Sequence, residues 1–434
     1  MEIDASDQTR LSKTPTPPNK RQLALALLMV GAFCAGMGQT IVFSVVPPIA
    51  RQIGLSDFLV GFIFSGSAAL WVLTAPRWGR VSDQRGRKPM ILIGMSGFVF
   101  SMLFFGLVWE LGIAGVVRGW PLFVLLALTR AIYGAIGSAG PPSAQAYIAD
   151  RTTKANRTAG MAGYSASFGI GSVLGPGFGA MVSVLSPAAP FFAMAVIGAL
   201  MGGAVLFFLQ ESTPPKERQK PKRIHFYDKR IRAFLVIGFL FGLINAVPLQ
   251  TIGFYFIDRL GFSLEVAPQM VGVGLMANAM ASLFSQLVIV QRFKLPPKHL
   301  LRIAPILILC GHSLIFLSSQ MGPVIFGLML GGFGVGLGLP GYNAATSIAV
   351  EPEEQGGAIG LSHSMMAAGF IFSPMIAFSL YPIAPQLPYV FTVSLACVIA
   401  LVAFTTESVR NAVPDEDGEI EEREDDAPAS APYR

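Results

Sequence analysis

Long apolar runs alternate with short polar segments along almost the whole chain. A helix needs about 20 apolar residues to cross the hydrocarbon core of a bilayer. By that criterion the sequence predicts twelve membrane-spanning helices, at residues 23–50, 57–78, 89–111, 121–149, 158–184, 187–211, 231–257, 266–291, 300–319, 322–350, 356–382 and 386–406. Gly and Pro interrupt several runs, which membrane helices tolerate. The pattern therefore predicts an all-α membrane protein.

Composition agrees with this fold class, since only 13% of the 434 residues are charged. A water-soluble domain carries roughly 25%. The three cysteines, Cys34, Cys310 and Cys397, all fall in predicted spans, which argues against a disulfide framework. We find no phosphate-binding glycine loop and no cluster with metal-ligand spacing, so we expect neither an enzyme nor a cofactor or metal site.

Basic residues lie almost entirely on one side of the predicted spans. With the N-terminus placed inside, 27 of the 31 Lys and Arg fall in cytoplasmic segments. This asymmetry follows the positive-inside rule and predicts that both termini are cytoplasmic. The net charge of +6 then reports orientation in the membrane. Nucleic-acid binding is not expected, because no folded basic domain presents a patch.

The longest internal polar stretch divides the spans six and six. The predicted division is a disordered cytoplasmic head at 1–22, an N-terminal six-helix bundle at 23–211, a basic cytoplasmic linker at 212–230, a C-terminal six-helix bundle at 231–407 and an acidic disordered tail at 408–434. Gly140–Asp150 aligns with Gly341–Glu351, and two weaker matches keep the same order in both halves. Such internal repeats are typical of secondary transporters.

A dense basic motif separates predicted spans 2 and 3. Its candidate gate residues are Gly79, Asp83, Arg85, Gly86, Arg87 and Lys88. The motif resembles the loop between helices 2 and 3 of the major facilitator superfamily, although Val81, Ser82 and Gln84 depart from the family pattern and Arg85 stands one position late. The resemblance implies a latch that closes the cytoplasmic gate. The alternative is a charge cluster that only orients the spans.

Arg130 lies well inside a predicted span, about nine residues from its start, whereas the other basic residues stand at or beyond span ends. An arginine near the bilayer centre costs about 2.5–3.5 kcal/mol on insertion scales, so it faces protein or a water-filled cavity. Its first possible role is functional: it lines a cavity and there attracts an anion or takes part in proton coupling. Its second possible role is structural: it holds backbone carbonyls of neighbouring helices. Gly134 follows one turn later, and the pair resembles the superfamily's span-4 motif, which implies the first role.

Predicted span 5 carries a glycine motif around one proline, at Gly171, Gly175, Pro176 and Gly179. Glycines one turn apart let helices approach closely, and a proline bends the helix. The contact suits either a flexing interface between rocking halves or a static helix pair. The segment resembles the antiporter signature of the superfamily, with Ala162 and Ala180 in place of its outer glycines, and this implies an exporter.

No Asp or Glu stands near the middle of a predicted span, so the usual proton carrier is missing. His363 in span 11 is the candidate for titration instead, with a hydrogen-bonded helix contact as the alternative. The candidates for neutral contacts to a substrate are Gln39, Asn245, Gln250, Asn278 and Asn343.

The resemblance to the superfamily covers about residues 23–407. Within the superfamily, the chain is similar to the drug:proton antiporter branch. It implies two pseudo-symmetric six-helix bundles with alternating access, and proton-coupled efflux of a small amphipathic compound. The first alternative is uptake or uniport of an organic anion attracted by Arg130. A minor alternative is a receptor or scaffold that does not transport. The expected setting is a monomer in the lipid bilayer of a bacterial inner membrane.

Overall fold

The computed structural model describes residues 18–151, 154–211, 226–293, 295–351, 354–406 and 409. These residues are helical almost throughout and include no β-strand. Most of the predicted head (1–22) and linker (212–230), nearly all of the predicted tail (408–434) and Lys294 lie outside the described residues.

Twelve helical segments of the described chain are long and apolar enough to cross a membrane, which confirms the predicted fold class. Spans 1 to 12 comprise Pro18–Gln52, Asp57–Arg85, Arg87–Ile113, Gly119–Arg151, Lys154–Val182, Ala189–Phe208, Arg232–Asp258, Ala267–Phe293, Pro297–Leu317, Met321–Ile348, Gln355–Leu380 and Leu387–Thr405. The chain is therefore a multi-pass membrane protein.

Two spans change their helical winding partway along. Span 4 consists of helix Gly119–Ala135, a 3₁₀ turn Gly137–Ala139 and helix Gly140–Arg151. Span 8 consists of helix Ala267–Phe284, a π-helical stretch Ser285–Val290 and the short helix Gln291–Phe293. Such changes inside a helix often mark a functional hinge, because they interrupt the regular α-helical pattern of backbone hydrogen bonds.

The basic motif, which the sequence predicts as a loop between spans 57–78 and 89–111, is mostly helix. Span 2 continues to Arg85, span 3 begins at Arg87, and Gly86 alone separates them. Arg and Gln are good helix formers, so the helix continues past the last apolar residue. The break occurs where Gly86 adopts a φ of 100°, a conformation that only glycine accepts readily.

The chain forms two compact units. Unit 1 contains the described residues of Met1–Arg218 together with Leu264–Gly272, and unit 2 contains those of Gln219–Ser263 and Val273–Arg434. A buried cluster of unit 2 is formed by spans 7, 9, 10 and 12 and includes Phe241, Ile308, Leu337 and Ile399. A smaller cluster in unit 1 surrounds Tyr147.

Spans 1 and 5 of unit 1 approach each other through glycines. A Cβ placed on Gly171 would collide with the carbonyl oxygen of Phe33, and one on Gly175 would lie 2.6 Å from the carbonyl oxygen of Met37. Neither obstacle is a flexible side chain, so the helices can be this close only if these positions have no side chain. The partner of the span-5 motif is therefore span 1 of the same unit.

We predict that Gly175→Leu destabilises unit 1, because the new side chain must displace the backbone of span 1. Overpacking of this kind costs about 1–3 kcal/mol or more. The matched control is Gly202→Leu in span 6, where an added Cβ meets nothing within 4 Å. Thermal unfolding of the two purified variants in detergent measures the difference. An equal loss of Tm in both would contradict the packing described for spans 1 and 5.

Candidate functional site

Arg87, the first residue of span 3, is buried between polar side chains of spans 2 and 4. Its Nη2 lies 2.7 Å from Oδ1 of Asp83, and its Nε donates to Oδ2 of Asp150 over 3.0 Å. Its Nη1 donates to the hydroxyl of Ser82 over 3.1 Å. A buried guanidinium is stable only with such compensation, so these contacts tie the ends of spans 2, 3 and 4 together.

Glu211, just beyond span 6, caps span 3. Its Oε1 accepts hydrogen bonds from the backbone N–H groups of Arg87 at 2.9 Å and of Lys88 at 3.2 Å. The residue at the N-cap position is Gly86, which has no side chain to do this. A carboxylate at a helix N-terminus satisfies free N–H groups and the helix dipole. A Cβ on Gly86 would lie 2.7 Å from Oε2 of Glu211.

Further hydrogen bonds hold the end of span 6 against this site. The Lys88 ammonium group donates to the Leu206 carbonyl over 2.8 Å, and Arg151 donates to the Glu211 carbonyl over 2.6 Å. The basic cluster is the name used below for Ser82, Asp83, Gly86, Arg87, Lys88, Asp150, Arg151 and Glu211. It joins the ends of spans 2, 3, 4 and 6 of unit 1.

The structure brings together only part of the predicted gate motif. Asp83, Gly86, Arg87 and Lys88 belong to the basic cluster, whereas Arg85 is exposed and a Cβ on Gly79 would meet nothing within 4 Å. Sequence reasoning missed Ser82, Asp150 and Glu211 as partners. For the two acids a signal existed, because the predicted topology ends spans 4 and 6 on the same side as the basic motif.

Arg130 lies inside unit 1 and is only 4% exposed. The centre of its guanidinium is 4.8 Å from the ring centroid of Tyr133 and 5.6 Å from that of Phe105. Its Nε and Nη1 are buried and make no hydrogen bond within the described structure, so they do not clamp carbonyls. Cation–π contact contributes about 2 kcal/mol when desolvated, which leaves the cost of two unsatisfied donors uncompensated.

Gly134 lets span 2 pack directly on span 4 beside Arg130. A Cβ at Gly134 would collide with the carbonyl oxygen of Ser67. The Ser67 hydroxyl donates to the Arg130 carbonyl over 2.9 Å, and the Thr74 hydroxyl donates to the Gly134 carbonyl over 3.2 Å. These bonds fix the backbone that carries Arg130 while its side chain keeps free donors.

The other residues of the span-5 motif also meet span 1. The Ser44 hydroxyl donates to the Pro176 carbonyl over 3.4 Å. A Cβ on Gly179 would collide with the Ile41 side chain, and both contacts lie one or two turns beyond those of Gly175. The whole motif therefore forms a single interface with span 1.

Two of the polar candidates predicted in unit 2 make hydrogen bonds to neighbouring spans, and the others are half-buried or exposed. Gln250 is buried and accepts a hydrogen bond from Ser373 over 3.2 Å, and the Asn278 amide donates to the Leu328 carbonyl over 2.8 Å. Asn245 is half-buried and lines a small cavity with Asn278. The structure places His363 on an exposed face of span 11, and it places Asn343, like Gln39 of unit 1, in a half-buried position.

A second charged group joins two spans of unit 2. Arg230, before span 7, donates to Asp228 over 2.8 Å and to Glu354, before span 11, over 2.9 Å. These hydrogen bonds, that to Asp228 first, raise the pKa of the Arg230 guanidinium. The group therefore stays cationic at any physiological pH, and exposure limits its contribution to stability.

Unit 1 contains a partly open apolar cavity of about 70 Å³ that is lined mainly by spans 1, 3, 4 and 6, with one residue each from spans 2 and 5. Trp71, Phe98, Tyr133 and Tyr164 contribute aromatic surface to its walls. Packed interiors contain few voids of this size.

Comparison with known proteins assigns the chain to a family. Residues 28–325 match the model of the Major Facilitator Superfamily, more than half of the chain. The chain belongs to the major facilitator superfamily. The resemblance inferred from the basic, span-4 and span-5 motifs is thereby confirmed, and the protein is a transporter with a small-molecule substrate and not an enzyme.

Full-length relatives narrow the resemblance. The chain is 29% identical over 392 residues to Multidrug resistance protein 1 of Bacillus subtilis (strain 168), with 88% of this chain and 96% of the relative covered. It is 24% identical over 406 residues to the class B tetracycline resistance protein of Escherichia coli, with 88% and 95% covered. Both relatives are consistent with the drug:proton antiporter branch.

A solved structure supports the superfamily fold independently. The chain superimposes with a TM-score of 0.71 on the inward-facing, unoccupied structure of a bacterial homologue of the human lysosomal transporter Spinster. The match covers 92% of this chain and 98% of the other at 16% sequence identity, so it bears on the fold alone.

We predict that Asp150→Asn destabilises this transporter by about 3 kcal/mol, because it leaves buried Arg87 with too little compensating charge. Asp150 is 6% exposed, whereas Asp83 is 49% exposed and pairs with Arg87 in water-accessible surroundings. Asp83→Asn is therefore the matched control and should cost about 1 kcal/mol or less. Thermal unfolding of both variants compares them. A larger loss of Tm in Asp83→Asn than in Asp150→Asn would contradict the conclusion that Asp150 contributes more than Asp83 to the stability of buried Arg87.

Proposed function

We propose that this protein exports small amphipathic compounds by alternating access in exchange for protons. The structural observation that carries the proposal is Arg130, a membrane-embedded cation held between aromatic rings with two donors unused. The direction is supported by the span-5 motif and by relatives named for multidrug and tetracycline resistance.

The donors of Arg130 that make no hydrogen bond are available for other groups during transport. A guanidinium is always protonated and attracts negative charge over longer distances in a medium of low dielectric constant. Its Nε and Nη1 can therefore receive an acceptor group of the substrate, or they can bias a nearby titratable group toward proton release. Either event changes the electrostatic balance inside unit 1 during the cycle.

The basic cluster supplies the predicted cytoplasmic latch. Arg87 is held from several sides and is 2% exposed, so it acts as the permanent anchor. Asp83 is half-exposed and is the member that can exchange partners as the latch opens. Charge-assisted bonds of this kind are strong enough to hold a state and still reversible in water.

Proton coupling requires a titratable group, and His363 is the proposed one. The Asp and Glu residues of the described spans stand near span ends, which leaves histidine to titrate in the physiological range. His363 lies on an exposed face of span 11, where the protein does not enclose its imidazole. Gln39, Asn245 and Asn343 are the proposed neutral contacts to the substrate.

The second candidate function is uptake or uniport of an organic anion. The same observation favours it, because a cation in a span without mid-membrane carboxylates is an anion attractor. The two functions differ in their response to a proton gradient. Under either one, we propose a monomer in a bacterial inner membrane with both termini in the cytoplasm, as the distribution of Lys and Arg indicates.

We predict that Arg130→Met abolishes transport, by at least about 100-fold, and leaves Tm unchanged or slightly raised. Replacing a buried and poorly compensated charge by an apolar side chain is often neutral or stabilising. A purely structural arginine would instead lose stability and transport together. Substrate efflux from intact cells, normalised to the amount of protein in the membrane, gives the first quantity, and thermal unfolding gives the second.

The control for this prediction is Arg302→Met in unit 2. The Arg302 guanidinium also lies over an aromatic ring, 5.0 Å from the centroid of Phe404, but it has no proposed transport role. Efflux should be retained in the control. Normal efflux in Arg130→Met would refute the assignment of Arg130.

A further inference from the structure

The cavity inside unit 1 has the composition of a binding site for an apolar group. Its surface is formed mainly by aliphatic and aromatic side chains, and no charged side chain lines it. The wall on the side of span 1 includes Gly31, Cys34 and Ala35. We propose that it binds the uncharged, apolar moiety of a transport substrate, an inference that rests on the proposed efflux function.

The space is kept open by missing side chains. Gly31 lines the cavity, and a Cβ added there would meet nothing within 4 Å, so a larger residue would fit. Gly137 and Gly140 form another part of the wall, at the 3₁₀ turn that interrupts span 4. A cavity with open space at Gly31 that borders a break in helical winding, a common hinge position, can admit a ligand.

Tyr133 connects this cavity to the proposed transport residue. Its ring is part of the cavity wall, and the Arg130 guanidinium lies 4.8 Å from the same ring. An occupant that moves Tyr133 therefore changes the surroundings of Arg130 directly. Occupancy of the cavity and the charge used in transport are linked by one side chain.

The volume of about 70 Å³ limits what can enter. It is about half that of an apolar cavity of roughly 150 Å³ that stays dry and binds benzene. The space therefore accepts a short alkyl chain or the edge of one ring, while the polar part of the substrate stays outside. The end of a lipid acyl chain has the same chemistry and is the competing occupant.

The test is calorimetric titration of the purified transporter with p-alkylanilines that carry chains of one to six carbons. Affinity should rise about fourfold per methylene and then level off when the cavity is full. Gly31→Leu should weaken binding of the butyl compound at least tenfold, whereas Gly202→Leu, with equally open space but outside the cavity, should bind as the wild type does. If Gly31→Leu does not fold, Ala35→Leu on the same wall replaces it.

Two results would overturn the proposal: binding unaffected by the filling variants, or binding that disappears when phospholipid is restored in nanodiscs. The second result would assign the cavity to a lipid chain. Because the titration involves no proton gradient, it separates this inference from the proposed function. If alkylanilines do not bind but proton-linked efflux is intact, only the proposal for the cavity is refuted. If they bind but efflux is not linked to protons, only the proposed proton coupling is refuted.

Discussion

In a membrane, two helices gain little from burying apolar surface against each other, because lipid is equally apolar. Close contact then has to come from shape, and in unit 1 it comes from residues without side chains. The backbone of span 1 sits directly against the glycines of span 5, with Gly171 and Gly175 facing carbonyl oxygens of span 1. Gly134 brings span 2 onto span 4 in the same way. These contacts position the helices that carry the polar groups.

Two arginines of unit 1 illustrate opposite solutions to burying a charge. Arg87 is surrounded by Asp83, Asp150 and Ser82 and has the contacts of a structural anchor. Arg130 meets aromatic rings and keeps two nitrogens without a hydrogen bond. Protein interiors rarely leave donors unsatisfied, and the proposed transport role of Arg130 rests on this second arrangement.

The apolar runs were sufficient to predict all twelve spans, because length and hydropathy are the dominant constraints in a bilayer. Span ends were less predictable. Span 2 continues through charged residues to Arg85, since nothing before Gly86 forces the helix to stop. The span-5 glycines predicted a close contact, but a pattern on one helix does not identify its partner. The capping role of Glu211 depends on the three-dimensional meeting of spans 3 and 6, and no local pattern contains that information.

The central claim is exchange of a substrate for protons, and proton release from inside-out vesicles tests it most directly. The vesicles are held at acid interior pH, and cationic, neutral and anionic compounds are added in turn while the interior pH is followed. The account predicts that lipophilic cations or neutral amphipathic compounds raise the interior pH in vesicles that contain this transporter and have no such effect in vesicles without it. Silence to every compound, with a labelled organic anion still crossing down its own gradient, would contradict proton-coupled efflux and favour an anion carrier.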